Sequence, residues 1–311
     1  MFSIALTNVI MTLAYILPGF IVGKMKKTLP EHLPGLSGIL LYVCSPCMHI
    51  TAYISIECTK DNLIRMGLFF VSSLILQGAF MGLIYLIFRK KFEINSYRVM
   101  TIGAVLGNVG YFGLPIVKAL FPDNPEAAVY SCMNILSMNL IVFTIGVYCL
   151  TRKKEYLSLK AAAFNPTTFG FVVGFPLFLL GASGWLPEVV LKAVRLIGDM
   201  STPLCMMILG VRLTAVSLKK LFARPVVWMT CLGKLLLFPL FVFGMTFFLP
   251  WLPIDPSFRG SLVILAGAPC AAVILTLAEL HKSETELAAN SIFLSTILCF
   301  TTIPLLAMLP F

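Results

Sequence analysis

Charge is what this sequence has least of. Only 12% of its 311 residues are charged and 13 are acidic, while 59% are hydrophobic. A water-soluble chain of this length needs more polar surface, so a soluble globule is excluded and lipid is the solvent for most of it. Other absences narrow the class further. There is no pair of carboxylates, no Ser/His/Asp set and no metal-ligand spacing, so an enzyme is unsupported. There is no Walker motif, so nothing in the chain would power a pump with ATP. The nine cysteines are odd in number and lie mostly in apolar runs, which excludes a disulfide framework. The CxxC of "CSPCMH" (Cys44 to His49) stands beside Pro46 with no second Cys/His pair. Small apolar residues at a helix kink explain it better than a redox or metal site, and His49 alone is weak evidence of one. The first apolar run lacks a basic flank and a small-residue cleavage site, so it reads as a retained span.

What is there is apolar sequence in repeated lengths. Runs near 3–23, 34–55, 64–88, 98–121, 126–150, 165–184, 188–211, 225–249, 258–280 and 286–309 each approach the length a bilayer requires. The net charge of +10 is distributed unevenly between the loops. Lys24, Lys26 and Lys27, then Arg89, Lys90, Lys91 and Arg98, then Arg152, Lys153, Lys154 and Lys160, then Arg212, Lys219, Lys220 and Arg224, then Lys282, all fall after odd-numbered runs. The opposite loops hold Lys60, Arg65, Lys192, Arg195 and Arg259. The positive-inside rule then places both termini outside the cytoplasm of a multi-pass cell-membrane protein. The basic excess is a topology signal, and no nucleic-acid partner is implied.

The stretch "GAVLGNVGYFGLPIVKAL" (residues 103–120) packs Gly103, Gly107, Gly110, Gly113 and Pro115 around Asn108 inside an apolar run. Gly costs a helix roughly 1 kcal/mol and Pro about 3. A weak internal repeat at an offset near 157 places a second such break in the ninth run. Asn8 matches Asn165, Pro46 matches Pro203, and Gly103 and Gly110 match Gly260 and Gly267. Pro18 matches Pro176 one position further on. Five runs per half force the second half to insert upside down. The expected organisation is residues 1–150, a short cytoplasmic linker at 151–164, and residues 165–311. Paired Gly/Pro-interrupted spans point to a transporter site, because irregular backbone at that depth must face protein or a cavity. The freed N–H and C=O groups are then expected to act as ligand groups, and helix N-termini favour a carboxylate. The glycines alone also fit a close-packing seam; Pro115 together with Pro269 favours the break.

These residues resemble the auxin efflux carrier family. "NVGYFGLPIVKALF" is similar to its fourth-span N-x-G-x-x-G-[IL]-P motif. "NPTTFGFVVGFPLFLLG" resembles its sixth-span opening, and "STPLCMMILGVRL" its seventh span. "GAPCAAVILTLAELHKSETELAANSIFLSTILCFTTIPL" resembles its last two spans, with Pro269 and the Ser295-Thr296 pair. The likeness runs over nearly the whole chain. The short linker is similar to that of compact prokaryotic permeases, where plant members carry a long loop. The resemblance implies an all-α membrane protein of ten helices in two inverted five-helix repeats, with broken helices four and nine crossing, a fold shared with bile-acid sodium symporters. It implies a small organic anion as substrate, a malate- or malonate-like dicarboxylate or an auxin-like weak acid, held where the broken helices cross. Asn108 would be the crossover amide, with Gly110, Pro115, Gly267 and Pro269 around it and Asn134 a second amide. Ser45 and Ser201, beside the kink prolines Pro46 and Pro203, would line the facing wall. One departure is that the second crossover has Ala268 and Cys270 around Pro269 and no amide.

Few ionisable residues lie within the runs. Lys118 can meet a substrate carboxylate or snorkel to the nearby loop. Asp199 can bind a coupling sodium ion or proton, or sit at the rim. Lys234 lies too deep for easy snorkelling and calls for a polar partner. Glu279 reads as an interfacial carboxylate. The reading is a secondary carrier working by alternating access, with the lipid bilayer and an organic anion as partners, no cofactor beyond a coupling ion, and room for a homodimer. A membrane-embedded enzyme or a non-transporting sensor on a carrier fold is the alternative.

Overall fold

A computed structural model describes residues 1–158, 160, 162, 165–216, 221–249 and 255–311. Lys219 and Lys220 of the basic loops and part of the 151–164 linker lie outside the described residues. Backbone N–H and C=O groups in lipid must be satisfied within the chain, and helices do this segment by segment. Seven helices are long and apolar enough to cross a membrane: α1 (Phe2–Lys24), α2 (Pro30–Ile54), α3 (Lys60–Lys91), α5 (Glu126–Thr151), α7 (Glu188–Leu213), α8 (Pro225–Thr246) and α10 (Thr285–Leu306). Three further segments complete the chain order. Two are interrupted: α4a (Asn95–Gly103) with α4b (Val109–Leu120), and α9a (Pro256–Ala266) with α9b (Val273–Leu280). One is short, α6 (Pro166–Leu179). Among the described residues every element is helical, apart from an isolated antiparallel bridge between Gly107 and Cys270.

The prolines shape the helices in a regular way. A widened, π-helical turn ends two residues before Pro46 (Leu40–Cys44), before Pro115 (Val109–Gly113) and before Pro239 (Gly233–Leu237). Proline has no N–H to donate, and its ring crowds the carbonyl four residues back. Widening the preceding turn accommodates both without ending the helix. The fourth widened turn, Val142–Gly146, has no proline behind it.

Helix pairs close through glycine. α1 packs on α7, and α2 packs on α6. A Cβ on Gly19 would overlap the Met207 carbonyl, and one on Gly210 would overlap the Ile16 carbonyl. At the second seam a Cβ on Gly170 would lie 2.6 Å from His49 Cβ, and one on Gly174 2.7 Å from Tyr53 Cδ2. Lipid tails are as apolar as leucine, so helices associate in a bilayer by such close backbone approach. α3 packs on α5, and α8 on α10 and α4a. The interior lies around α4, α5, α9 and α10, and α9a is buried almost throughout. The outer helices present apolar side chains outward, with Leu17, Ile21, Leu86 and Ile87 all exposed.

Contacts between loops order the two ends of the bundle. At one end Glu93 pairs with Arg98 (3.3 Å) and Arg152 (3.0 Å), and Glu284 pairs with Arg224 (2.8 Å) and accepts from Ser96 (2.8 Å). Burial alone would raise the Glu284 carboxyl, but the hydrogen bonds from Arg224 and Ser96 outweigh it and hold the group below its ordinary value. At the other end Arg65 pairs with Asp61 (2.7 Å) and Asp255 (3.3 Å), Asn124 donates to Ser257 (2.6 Å), and Phe121 meets Phe311. The loops after α3, α5, α7 and α9 therefore gather at one end, and those after α2, α4 and α8 at the other. Both interrupted helices carry the chain from end to end.

Substituting Gly210 by Leu would drive a side chain into the α1 backbone, which cannot swing aside. The expected cost is about 1–3 kcal/mol or more, read as a lowered melting temperature in detergent. Gly82→Ala, at a position with open space around it, is the control and is expected to melt no lower than the parent.

Candidate functional site

The two breaks meet. Asn108 N–H donates to the Pro269 carbonyl (2.7 Å) and Ala271 N–H donates to the Leu106 carbonyl (3.0 Å), which makes the Gly107–Cys270 bridge. Each break supplies the partners that the other has lost from its own helix. Two further groups are met from neighbouring helices. Cys270 N–H donates to Ser295 Oγ on α10 (3.0 Å), and Ser131 Oγ on α5 donates to the Val109 carbonyl (2.8 Å). The bridged residues stand 163 positions apart. That spacing is six more than the offset of 157 read from the sequence.

The sequence leads one to expect the freed backbone groups to serve a ligand. Most of them instead serve each other, because a break left open in lipid would cost several kcal/mol per group. What remains is at the start of α4b. Among the described residues the N–H groups of Gly110 and Tyr111 find no acceptor. Asn108, at the cap position of that helix, is half-buried and its side chain neighbours the Cys205 thiol of α7.

Ser45 and Ser201 are buried, and neither hydroxyl has a hydrogen-bond partner. Ser45 lies within reach of the Tyr111 hydroxyl, and neither makes a hydrogen bond to any other group. Orphaned buried hydroxyls are uncommon in native proteins and call for an explanation. Here they border the same region as Asn108. Gly110 is buried and backs onto Ile135 and Met48, while a Cβ on Gly267 would overlap Leu306. Pro115 is half-buried and Pro269 fully so. Asn134 is occupied elsewhere: its amide donates to Ser73 (3.3 Å) and its carbonyl accepts from Gln77 (3.5 Å), both on α3. Lys118 and Asp199 are both exposed, Lys118 near the far end of α4b and Asp199 at the kink of α7. The structure does not bring either to the bridge.

Lys234 is the residue the sequence undervalues. It sits in the widened turn of α8, 1% exposed, and its ammonium donates to the Val105 carbonyl (3.0 Å) and the Ala266 carbonyl (2.7 Å). Ala266 is the last residue of α9a, and Val105 lies two residues past the end of α4a. Its depth in an apolar run was the available signal; its partners were not visible from spacing.

A second cluster lies between α2, α5 and α6. His49 donates from Nδ1 to the Ser45 carbonyl (2.7 Å), which leaves Nε2 facing a tight crevice with the unpartnered Tyr53 hydroxyl. The crevice is too narrow for a water molecule. Among the described residues no group of three His, Cys, Asp or Glu side chains is placed to hold a metal ion, and Cys44 and Cys47 are free thiols.

Comparison with known proteins decides the class. The family model described as "Membrane transport protein" matches residues 4–307. The chain belongs to this family, the auxin efflux carriers. It is a multi-pass membrane transport protein. It is 23% identical over 298 residues to an uncharacterized transporter of Methanocaldococcus jannaschii, covering 93% of each chain. It is 23% identical over 313 residues to an uncharacterized transporter of Methanothermobacter thermautotrophicus, covering 96% of each. The likeness extends across the whole transporter, both interrupted helices included.

Ser295→Ala would strand the buried Cys270 N–H at the bridge. The expected loss is about 1–3 kcal/mol of stability, measured as a lower melting temperature, while Ser295→Thr keeps the acceptor and melts closer to the parent.

Proposed function

We propose that this transporter is a secondary carrier for a small organic anion, with the substrate held beside the point where α4 and α9 bridge. The observation that carries the reading is the pairing of Leu106–Asn108 with Pro269–Ala271, with free N–H groups and a half-buried amide at its edge. A carboxylate suits that edge. It would accept from the Gly110 and Tyr111 N–H groups and from the Asn108 amide at a helix N-terminus, where the dipole favours negative charge. The Ser45, Tyr111 and Ser201 hydroxyls would meet it from the facing side. A malate- or malonate-like dicarboxylate and an indole weak acid both carry the group required.

The architecture is ten spans in two inverted repeats. Two facts support this. The loop contacts alternate between the ends even across the broken α4 and α9. The seams also exchange under the repeat: α1 with α7 becomes α6 with α2 when each helix is replaced by its counterpart. In this reading α1, α2, α6 and α7 form one body, and α3 to α5 with α8 to α10 form the other, which carries the bridge. Ser45 and Ser201 then belong to the first body and Asn108 to the second. Relative movement of the two would expose the substrate to each side in turn. The basic loops gather at the end that the positive-inside rule assigns to the cytoplasm, so both termini lie outside.

Two measurements test this. Asn108→Ala, assayed in detergent with malate, malonate and indole-3-acetate, is expected to bind its anion roughly five- to a hundredfold more weakly, as loss of one buried hydrogen bond of about 1–3 kcal/mol implies. Binding equal to the parent with only a lower melting temperature would move the site elsewhere. With the native cysteines replaced, a single cysteine at Asp123 is expected to react with an impermeant thiol reagent on intact cells and one at Lys90 is not. The reverse pattern would invert the topology.

A further inference from the structure

A buried ammonium normally pairs with a carboxylate, because an uncompensated charge in a low-dielectric interior is very costly. Lys234 has no such partner among the described residues. Its two acceptors are the carbonyl of Ala266, the last residue of α9a, and that of Val105, two residues past the end of α4a. A helix C-terminus carries roughly half a negative charge. Two of them converging on one point supply about the charge that one monovalent cation requires. The ring of Phe238, 4.9 Å from Nζ, faces the same ammonium with its negative π surface. Gly107 completes the fit, since a Cβ there would come within 2.8 Å of Nζ. The place is a cation site made of backbone carbonyls and an aromatic face at the bridge, and the chain fills it with its own side chain.

We infer that Lys234 is the resident cation of the bridge, a positioning residue that takes the place a monovalent metal ion would take between the C-terminal ends of α4a and α9a. Sodium therefore has no role at this point in the transport cycle. The ammonium ties the two interrupted helices together from the α8 side, so the bridge moves as one body with α8. It is also fixed covalently to the protein. It cannot leave with the substrate, and no ion gradient is spent through this position. The inference rests on the carrier reading for its meaning in transport, but the geometry concerns the cation site alone.

The test needs no substrate. The purified parent, Lys234→Ala and Lys234→Met are melted in sodium, lithium or choline chloride at constant ionic strength. The parent is expected to melt at the same temperature in all three salts. Lys234→Ala vacates the site and is expected to melt lower in choline, then recover in sodium or lithium by a saturable shift of at least about 2 °C, because an ion that binds only the folded state stabilises it. Lys234→Met removes the charge but fills the space, so it is expected to melt lower in every salt without recovery. Saturable stabilisation of the parent by sodium or lithium would overturn the inference, since the site would then be open to metal. So would a Lys234→Ala protein that melts like the parent or ignores all three salts. If Lys234→Ala does not fold, the parent and Lys234→Met still decide it. If Asn108→Ala leaves anion binding intact while these ion responses hold, the substrate position fails and the cation site stands.

Discussion

A helix that stops inside a membrane leaves N–H and C=O groups with no water to meet them, and two such stops are what this fold is built around. Each unsatisfied group would cost several kcal/mol in lipid. The chain resolves this by breaking two helices at the same place, so that each break becomes the other's partner through Asn108 N–H to Pro269 and Ala271 N–H to Leu106. Neighbouring helices are then constrained by what is left over. α10 must present Ser295 to Cys270, α5 must present Ser131 to Val109, and α8 must deliver a cation to the two carbonyl ends. The widened turn that carries Lys234 in α8 ends two residues before Pro239, so the distortion that accommodates the proline also holds the lysine.

The contrast between the bridge and the wall facing it is informative. At the bridge the backbone is largely satisfied. Elsewhere the hydroxyls of Ser45, Ser201 and Tyr111 are buried, and those of Ser45 and Tyr111 have only each other within reach. A protein that must be stable while empty cannot leave backbone unpaired in many places. It can leave a few hydroxyls, which rotate and cost less each. The polar capacity left unused is therefore mostly in side chains.

Much of this was legible in the sequence, for a local reason. Gly and Pro disturb a helix where they stand, so "GNVGYFGLP" announces a break without any knowledge of the fold, and Pro269 announces a second. Three further features were not legible. The 163-residue spacing of the bridge depends on which residues face each other across it, and a Gly/Pro match along the chain does not register that. Asn134 reads as a free amide on an apolar helix, yet α3 supplies Ser73 and Gln77 to occupy it. Lys234 finds its acceptors 129 and 32 residues away, on helices whose approach depends on the whole bundle. Charges in an apolar run can be recognised from sequence, but their partners are a property of packing.

The location of the closest seams bears on how such a structure can move. Gly19 and Gly210 bring α1 and α7 into backbone contact, and Gly170 and Gly174 let the buried His49 and Tyr53 side chains of α2 lie against the α6 backbone. The first contact is rigid because neither side has a flexible side chain to yield, and the second because both rings are buried in close packing. The bridge, with Lys234 beneath it, is rigid for a different reason, since loosening it would expose buried polar groups. Between these two stiff units lie the unpartnered Ser45 and Tyr111 hydroxyls and the crevice at His49, where fewer polar bonds would have to break. If one surface in the molecule slides, physical cost places it there rather than through either unit, and Asn108, at the edge of the bridge, is where a polar ligand would touch both sides at once.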